Sequence, residues 1–319
     1  MVIAIVQLIF GVIALWKGGD FLVKGAADLA KRFNISELII GLTLVAFGTS
    51  APELVVNIIA AKKNEADIVF GNILGSNISN VLLILGLTGI ILPIKVPKKN
   101  IKINAIIVIF SVVILAGLIM GSKIVNNDEI ILLLSRSEGG ICMLLFTTYL
   151  IFVFKQKDNS SNEHNETKVS ILIPTGLFLL GSILLPFGGQ SLITAIQTLA
   201  NLLSVPTALL SLFLLAISTS LPELAACLVA AIKHHPELAL GNILGSNICN
   251  ILLILGVSSV INPLTFSTYF RIDLLWVLGS SLILLIIIML SKEKISSIYS
   301  WLLLLGYTLY VSQLMSRFI

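Results

Sequence analysis

The chain has 319 residues, of which 57% are hydrophobic and only 11% charged, and its mean hydropathy is +1.07; a soluble domain carries about 25% charged residues, so that class is excluded. The formal net charge of +4 does not point to nucleic acid, because the basic residues lie mainly in short loops between apolar runs. Those runs are continuous for about 20 residues, the length that spans a bilayer as helix, which excludes a β-barrel with its alternating strands.

The first predicted span, 2–22, opens on MVIAIVQLIFGVIALW. It has no basic flank and no small-residue cleavage site, so it reads as a span and not as a removable signal. The second, 36–61, contains GTSAPEL; the third, 68–92, contains GNILGSNISNVLLILG; the fourth covers 101–120. The fifth is placed at 139–154, although the preceding DEIILLLSRSEGG can begin that helix as early as Asn127. A polar stretch, 155–168, is the one linker. The sixth span follows at 170–189, then 205–232 with STSLPEL, 238–261 with GNILGSNICNILLILG, 271–290 and 297–315.

The expected fold is therefore an all-α polytopic membrane protein. An N-terminal half (1–154) and a C-terminal half (169–319) hold five spans each. An odd number of spans per half forces the second half to enter the membrane inverted, the plan of secondary transporters whose substrates bind at the midplane. With the N-terminus outside, the inner loops hold thirteen basic residues, Lys24, Lys31, Arg32, Lys95, Lys98, Lys99, Lys102, Lys155, Lys157, Lys168, Lys233, Lys292 and Lys294. The outer side holds six, Lys62, Lys63, Lys123, Arg136, Arg271 and Arg317. The positive-inside rule then places the linker inside, in a multi-pass protein of the cell membrane.

The two halves share more than span count. The GNILGSN phrases begin at Gly71 and Gly241, 170 positions apart, and Glu53 and Glu223 lie at the same separation, each directly after a proline. Pro52 has no N–H for the carbonyl of Gly48, and its ring crowds that carbonyl. A kink at mid-membrane is expected, leaving carbonyls around Ala46 to Thr49 without helix partners; such backbone is tolerated only inside protein or along a cavity. Thr49, Ser50 and Glu53 lie on this stretch, and Thr219, Ser220, Pro222 and Glu223 repeat it. The following spans add Ser76, Asn77 and Asn80, and Ser246, Asn247 and Asn250. A Pro kink alone is often structural, and Gly-x-x-x-Gly usually serves helix packing. A carboxylate at bilayer depth, in contrast, costs about 2.5–3.5 kcal/mol on insertion scales and marks function by default.

Oxygen ligands with two carboxylates and no His or Cys suit a hard cation such as Ca²⁺, which takes about 6–8 oxygens in flexible geometry; zinc and copper ask for softer ligands. Two carboxylates balance one Ca²⁺, two Na⁺ or two protons. Cys142, Cys227 and Cys249 read as small packing residues, and His164, His234 and His235 as solvated. Lys17 and Asp20 either snorkel or pair, and Asp273 with Arg271 marks an interface.

GTSAPE with GNILGSNISN, and STSLPE with GNILGSNICN, resemble the paired α-repeats of the cation/calcium antiporter superfamily, most closely the prokaryotic sodium/calcium exchangers, over essentially the whole chain. The resemblance implies two inverted five-helix halves around four cation sites, with Glu53 and Glu223 as central acidic ligands. Thr49, Ser50, Thr219 and Ser220 would give backbone or hydroxyl oxygens, and the carbonyls of Ala46 and Ala216 would serve outlying sites completed by Ser76 and Ser246. Asn80 and Asn250 would line the middle. Some sodium/calcium exchangers carry an Asp where this chain has Asn250, so the expected site holds two acids.

The expectation is thus a Na⁺-driven Ca²⁺ antiporter with a Ca²⁺/H⁺ antiporter as the alternative. A passive channel gains little from inverted repeats. An intramembrane enzyme is disfavoured because H-E-x-x-H, paired aspartates and a nucleophile–His arrangement are missing. No cofactor, nucleic acid or obligate protein partner is expected beyond the bilayer and the transported ions.

Overall fold

The computed structural model describes residues 1–95, 100–126, 129–156, 171–202, 220–291 and 294–317. Helices α1 (Val2–Phe33), the bent pair α2 (Glu37–Thr49) and α3 (Ala51–Lys62), α4 (Ala66–Ile91), α5 (Asn100–Gly121) and α6 (Arg136–Lys155) make the N-terminal half. The C-terminal half consists of α7 (Leu172–Leu202), α8 (Leu221–Ile232), α9 (Pro236–Ile261), α10 (Arg271–Leu290) and α11 (Ser297–Ser316). Among the described residues eight helices are long and apolar enough to cross a membrane, or nine if the bent pair is one span. The expected span 205–232 is described only as the twelve residues of α8. Nearly all of the linker lies outside the described residues.

The first helix runs to Phe33, well past the expected end at residue 22, because its outer half pairs along its length with α7. Glycines permit that approach. A Cβ on Gly11 would meet the Gly188 carbonyl at 2.9 Å, and one on Gly25 the Pro174 carbonyl at 2.6 Å, so the two helices run antiparallel. The contact recurs at the 170-residue offset: a Cβ on Gly181 would meet the Gly18 carbonyl at 2.6 Å. GVIALWKGGD and GSILLPFGGQ are therefore a further pair of related segments, too diverged to stand out in the sequence. The outward faces of α1, α7 and α11 carry exposed apolar side chains such as Phe10, Leu172 and Trp301, the surface that lipid covers in a membrane protein.

Inside this layer, α4 and α9 are the most enclosed spans. The C-terminal turns of α9 lie on α6, and those of α4 on α11, again by matched glycines: a Cβ on Gly256 would meet the Gly139 carbonyl at 3.1 Å, and one on Gly86 that of Ser300 at 3.2 Å. Each enclosed span is interrupted by a π-helical turn, Asn80–Ile84 in α4 and Cys249–Ile254 in α9; such turns re-aim side chains and gather at functional sites. After α3 and α8 the chain turns by the same cap, with Asn64 (φ 61°) and His234 (φ 61°) in the left-handed region.

Two details depart from an all-helical reading. The DEIILLL stretch does not begin α6. Glu129–Leu134 is a strand, β3, between β2 (Lys123–Asn126) and β4 (Leu264–Phe266), and a second sheet pairs β1 (Ile94–Lys95) with β5 (Lys294–Ile295). A capping box starts α6, with Ser135 accepting from the Glu138 amide while Glu138 accepts from the Ser135 amide, so the helix has a fixed beginning. His235 is not simply solvated, since its Nδ1 lies 2.8 Å from Glu37 Oε1. Asp20 pairs with Lys233, and Asp273 pairs at 2.7 Å with Arg317, not Arg271.

Candidate functional site

The expected kink exists. Helices α2 and α3 meet at Ser50 (φ −85°, ψ 4°) with a bend of 47°. Pro52 sits in the first turn of α3, where a missing N–H costs nothing, and it leaves the Gly48 carbonyl without that donor. One part of the expectation is corrected. The Ala46 carbonyl is not free, because it accepts from the Ser50 amide at 3.0 Å, with the Thr49 hydroxyl oxygen 3.4 Å away. A short i−4 bond survives just before the break, since the proline removes a donor only four residues after Gly48. In the second copy Ser220 has the same backbone (φ −89°, ψ 5°) and Pro222 the same helical position. Ala216 and Thr219 lie outside the described residues.

The break aims the polar side chains inward. Glu53 is 0% exposed and Glu223 1%. Ser50, three residues before Glu53, donates to Glu223 Oε1 at 3.1 Å and lies 3.1 Å from Ser246 Oγ, so the two acid-bearing segments meet directly. Neither Glu53 oxygen has a hydrogen-bond donor, nor does Glu223 Oε2. Asn80 donates through Nδ2 to Asn247 Oδ1 at 3.0 Å, which turns its own Oδ1 away, buried and without a donor. Asn250 Oδ1 and Ser220 Oγ are buried in the same state. Native interiors satisfy the great majority of buried polar atoms. A set of buried acceptor oxygens, two carboxylates among them, suits a hard cation passing through as substrate. Among the described residues no three His, Cys, Asp or Glu side chains gather.

The remaining expected residues are nearby but differently engaged. Ser76 is buried, 3.5 Å from Asn72 Oδ1. The Thr49 hydroxyl lies 3.1 Å from Asn242 Oδ1, to which it donates. Ala46 packs under α9, with its Cβ 2.7 Å from where a Cβ on Gly245 would stand. Asn57 holds the Glu53 carbonyl through Nδ2 at 2.7 Å. Sequence reasoning passed over Asn57, Asn72 and Asn242; the last two occupy the same place in the duplicated phrase, which was a usable signal.

A cavity of about 910 Å³ leads to this region. Pro52 and Pro222 line it beside Asn72, and Asp67, Gln190 and Asp273 stand among its otherwise largely apolar walls. These residues belong to the start of α4, the second half of α7 and the start of α10, all at one end of the molecule. At the other end, Asp20–Lys233 and Glu37–His235 tie α1 and α2 to the segment between α8 and α9.

Comparison with known proteins fits this arrangement. The family model described as sodium/calcium exchanger protein matches residues 3–155 and 173–315. The chain is 33% identical over 319 residues to the sodium/calcium exchanger MaX1 of Methanosarcina acetivorans, covering 88% of this chain and 90% of that one. It is 31% identical over 274 residues to the inner membrane protein YrbG of Escherichia coli K12, covering 82% and 81%. The solved structure of the sodium-calcium exchanger NCX_Mj soaked with 10 mM Na⁺ and zero Ca²⁺ superposes with a TM-score of 0.83 at 29% identity, over 98% of each chain. A duplicated, carboxylate-bearing core inside a helical membrane fold, matched across both halves, places this chain in the sodium/calcium exchanger family of cation antiporters.

Proposed function

We propose that the protein exports Ca²⁺ against inward Na⁺ flow by alternating access, with the ions held between Glu53 and Glu223. The observation that carries this reading is the Ser50–Glu223 contact, which brings together the segments bearing the two buried carboxylates; the oxygens of Asn80, Asn250 and Ser220 are also buried and without donors. Two carboxylates neutralise one Ca²⁺ or two Na⁺, so either load lowers the cost of moving the site through the bilayer. Ser50, Ser76, Ser246, Thr219 and the Ala216 carbonyl complete the ligand set implied by the family, whereas the Ala46 carbonyl and the Thr49 hydroxyl are already engaged within the protein. Ten spans in two inverted halves agree with the antiparallel α1–α7 pair and its contacts repeated at an offset of 170. The N-terminus then lies outside, the linker inside, and the cavity opens outward in the cell membrane.

A Ca²⁺/H⁺ antiporter is the second reading, favoured by the amides at both Asn80 and Asn250, which leave two acids in the site. Liposomes loaded with Na⁺ and diluted into Na⁺-free buffer discriminate. Radioactive Ca²⁺ uptake that follows the Na⁺ gradient is expected. Uptake driven only by an imposed pH gradient sinks the sodium reading, and uptake needing neither gradient indicates a channel.

A further inference from the structure

We propose that Asn242 is a positioning residue: its buried amide fastens the break in the first glutamate-bearing span to the helix that carries the second glutamate, and so sets the spacing of the two acid-bearing segments. Asn242 is 1% exposed, and its two ends face different partners. Oδ1 accepts from the Thr49 hydroxyl at 3.1 Å, next to the Ser50 break; Nδ2 donates to Cys227 Sγ at 3.3 Å, one turn after Glu223. The Cys227 thiol lies 3.6 Å from the Ala239 carbonyl and closes the chain of contacts back onto α9. Thr49 and Cys227 are both 0% exposed. A buried amide that fills both of its ends this way fixes distance and orientation together.

The counterpart in the other half differs among the described residues, Thr219, which stands where Thr49 does, lying outside them. Asn72 stands where Asn242 does at the 170-residue offset, but it borders the cavity, and its Nδ2 has no partner. Asn57 stands where Cys227 does, and its Oδ1 is likewise without a donor. Asn242 Nδ2 therefore has its partner on the glutamate-bearing helix, and Asn72 Nδ2, beside the cavity, has none. The role assigned here rests on the proposed two-glutamate site, whereas the clamp itself is readable without any transported ion.

Hydrogen exchange on the detergent-solubilised full chain in ion-free buffer tests the clamp. In Asn242→Ala the amides of 46–62 and 221–232 are expected to exchange about tenfold faster, as the loss of one buried hydrogen-bonded partner predicts. Thr49→Val and Cys227→Ala should give the same local change, with double variants little worse than single ones, because all cut one network. Thr49→Ser keeps the hydroxyl and should restore protection, and Asn72→Ala should leave both segments unchanged. In liposomes Asn242→Ala should raise the half-saturating Ca²⁺ concentration about tenfold while changing the maximal rate less than about twofold, a split that general misfolding does not produce. Wild-type exchange in Asn242→Ala, fully additive effects, or an equal response in Asn72→Ala overturns the proposal. If Asn242→Ala does not fold, the Thr49→Val and Cys227→Ala pair carries the same comparison. Faster amide exchange in a protein that shows no Na⁺-driven Ca²⁺ uptake would remove the transport reading and leave the clamp standing.

Discussion

Residues 71–77 and 241–247 spell the same GNILGSN, yet the second copy is wholly buried while Gly71, Asn72 and Gly75 of the first border the cavity. The acids that precede them differ in the same sense. Glu223 receives the Ser50 hydroxyl, whereas Glu53 is enclosed with no donor on either oxygen. Around Gly241 and Gly245 the chain of α2 comes so close that an added Cβ would meet the Leu38 carbonyl at 2.6 Å and the Ala46 Cβ at 2.7 Å. Identical local sequence thus gives matching helices and overlapping π turns, but not identical surroundings. The second copy is packed against α2, and the first borders the cavity; the stretch 207–219, which stands to the first copy as α2 stands to the second, lies outside the described residues.

The largest test of this comparison is to neutralise each acid. Glu53→Gln and Glu223→Gln are each expected to reduce Na⁺-driven Ca²⁺ uptake to background in liposomes while leaving the protein folded by melting in detergent. Retained transport in either variant removes that carboxylate from the site and breaks the equivalence of the copies. Next comes the locked crossing. Gly245→Ala should cost about 1–3 kcal/mol through overpacking against the α2 backbone, read as a lower melting temperature; an unchanged melt would mean that α2 and α9 are not held where they are seen.

A smaller effect separates Asn80 from Asn250. Asn80→Asp removes the donor to Asn247 Oδ1 and sets two acceptors against each other, a penalty of about 1–3 kcal/mol. Asn250→Asp adds a third carboxylate beside a buried acceptor, so its melting temperature should gain more from added Ca²⁺ than the wild type does. Equal behaviour of the two variants would show the amides to be interchangeable. The smallest expected change is at the Asp20–Lys233 pair. Asp20→Asn removes the ion pair with Lys233, where both side chains are partly exposed, and should cost about 0–1 kcal/mol, a difference that vanishes in high salt.

Much of this was legible in the chain itself. Apolar run length fixes helices that cross a bilayer, because no backbone group can go unpaired in lipid. Pro52 fixes the break, because a proline cannot donate to the carbonyl four residues earlier, and the bend falls at Ser50 as a result. Two glutamates in oil mark the site for the same electrostatic reason. The short strands were missed because Glu129–Leu134 is apolar in a continuous run, which fits a helix or a strand until its partners in β2 and β4 are known. The length of α1 was missed because Lys17 and Asp20 look like a boundary, whereas Asp20 is neutralised by Lys233, more than two hundred residues away.

What the sequence by itself determined is therefore the membrane-spanning helical class, the duplication, the break at Ser50 and the identity of the buried oxygens. Each depends on a residue's own chemistry or on neighbours within a turn. Only the tertiary structure decided which partners those residues take: that Ser50 of one half reaches Glu223 of the other, that Asn242 is clamped and Asn72 is not, and that the Ala46 carbonyl is engaged. Those choices depend on distances between segments about 170 residues apart, which helix packing sets through the glycine crossings.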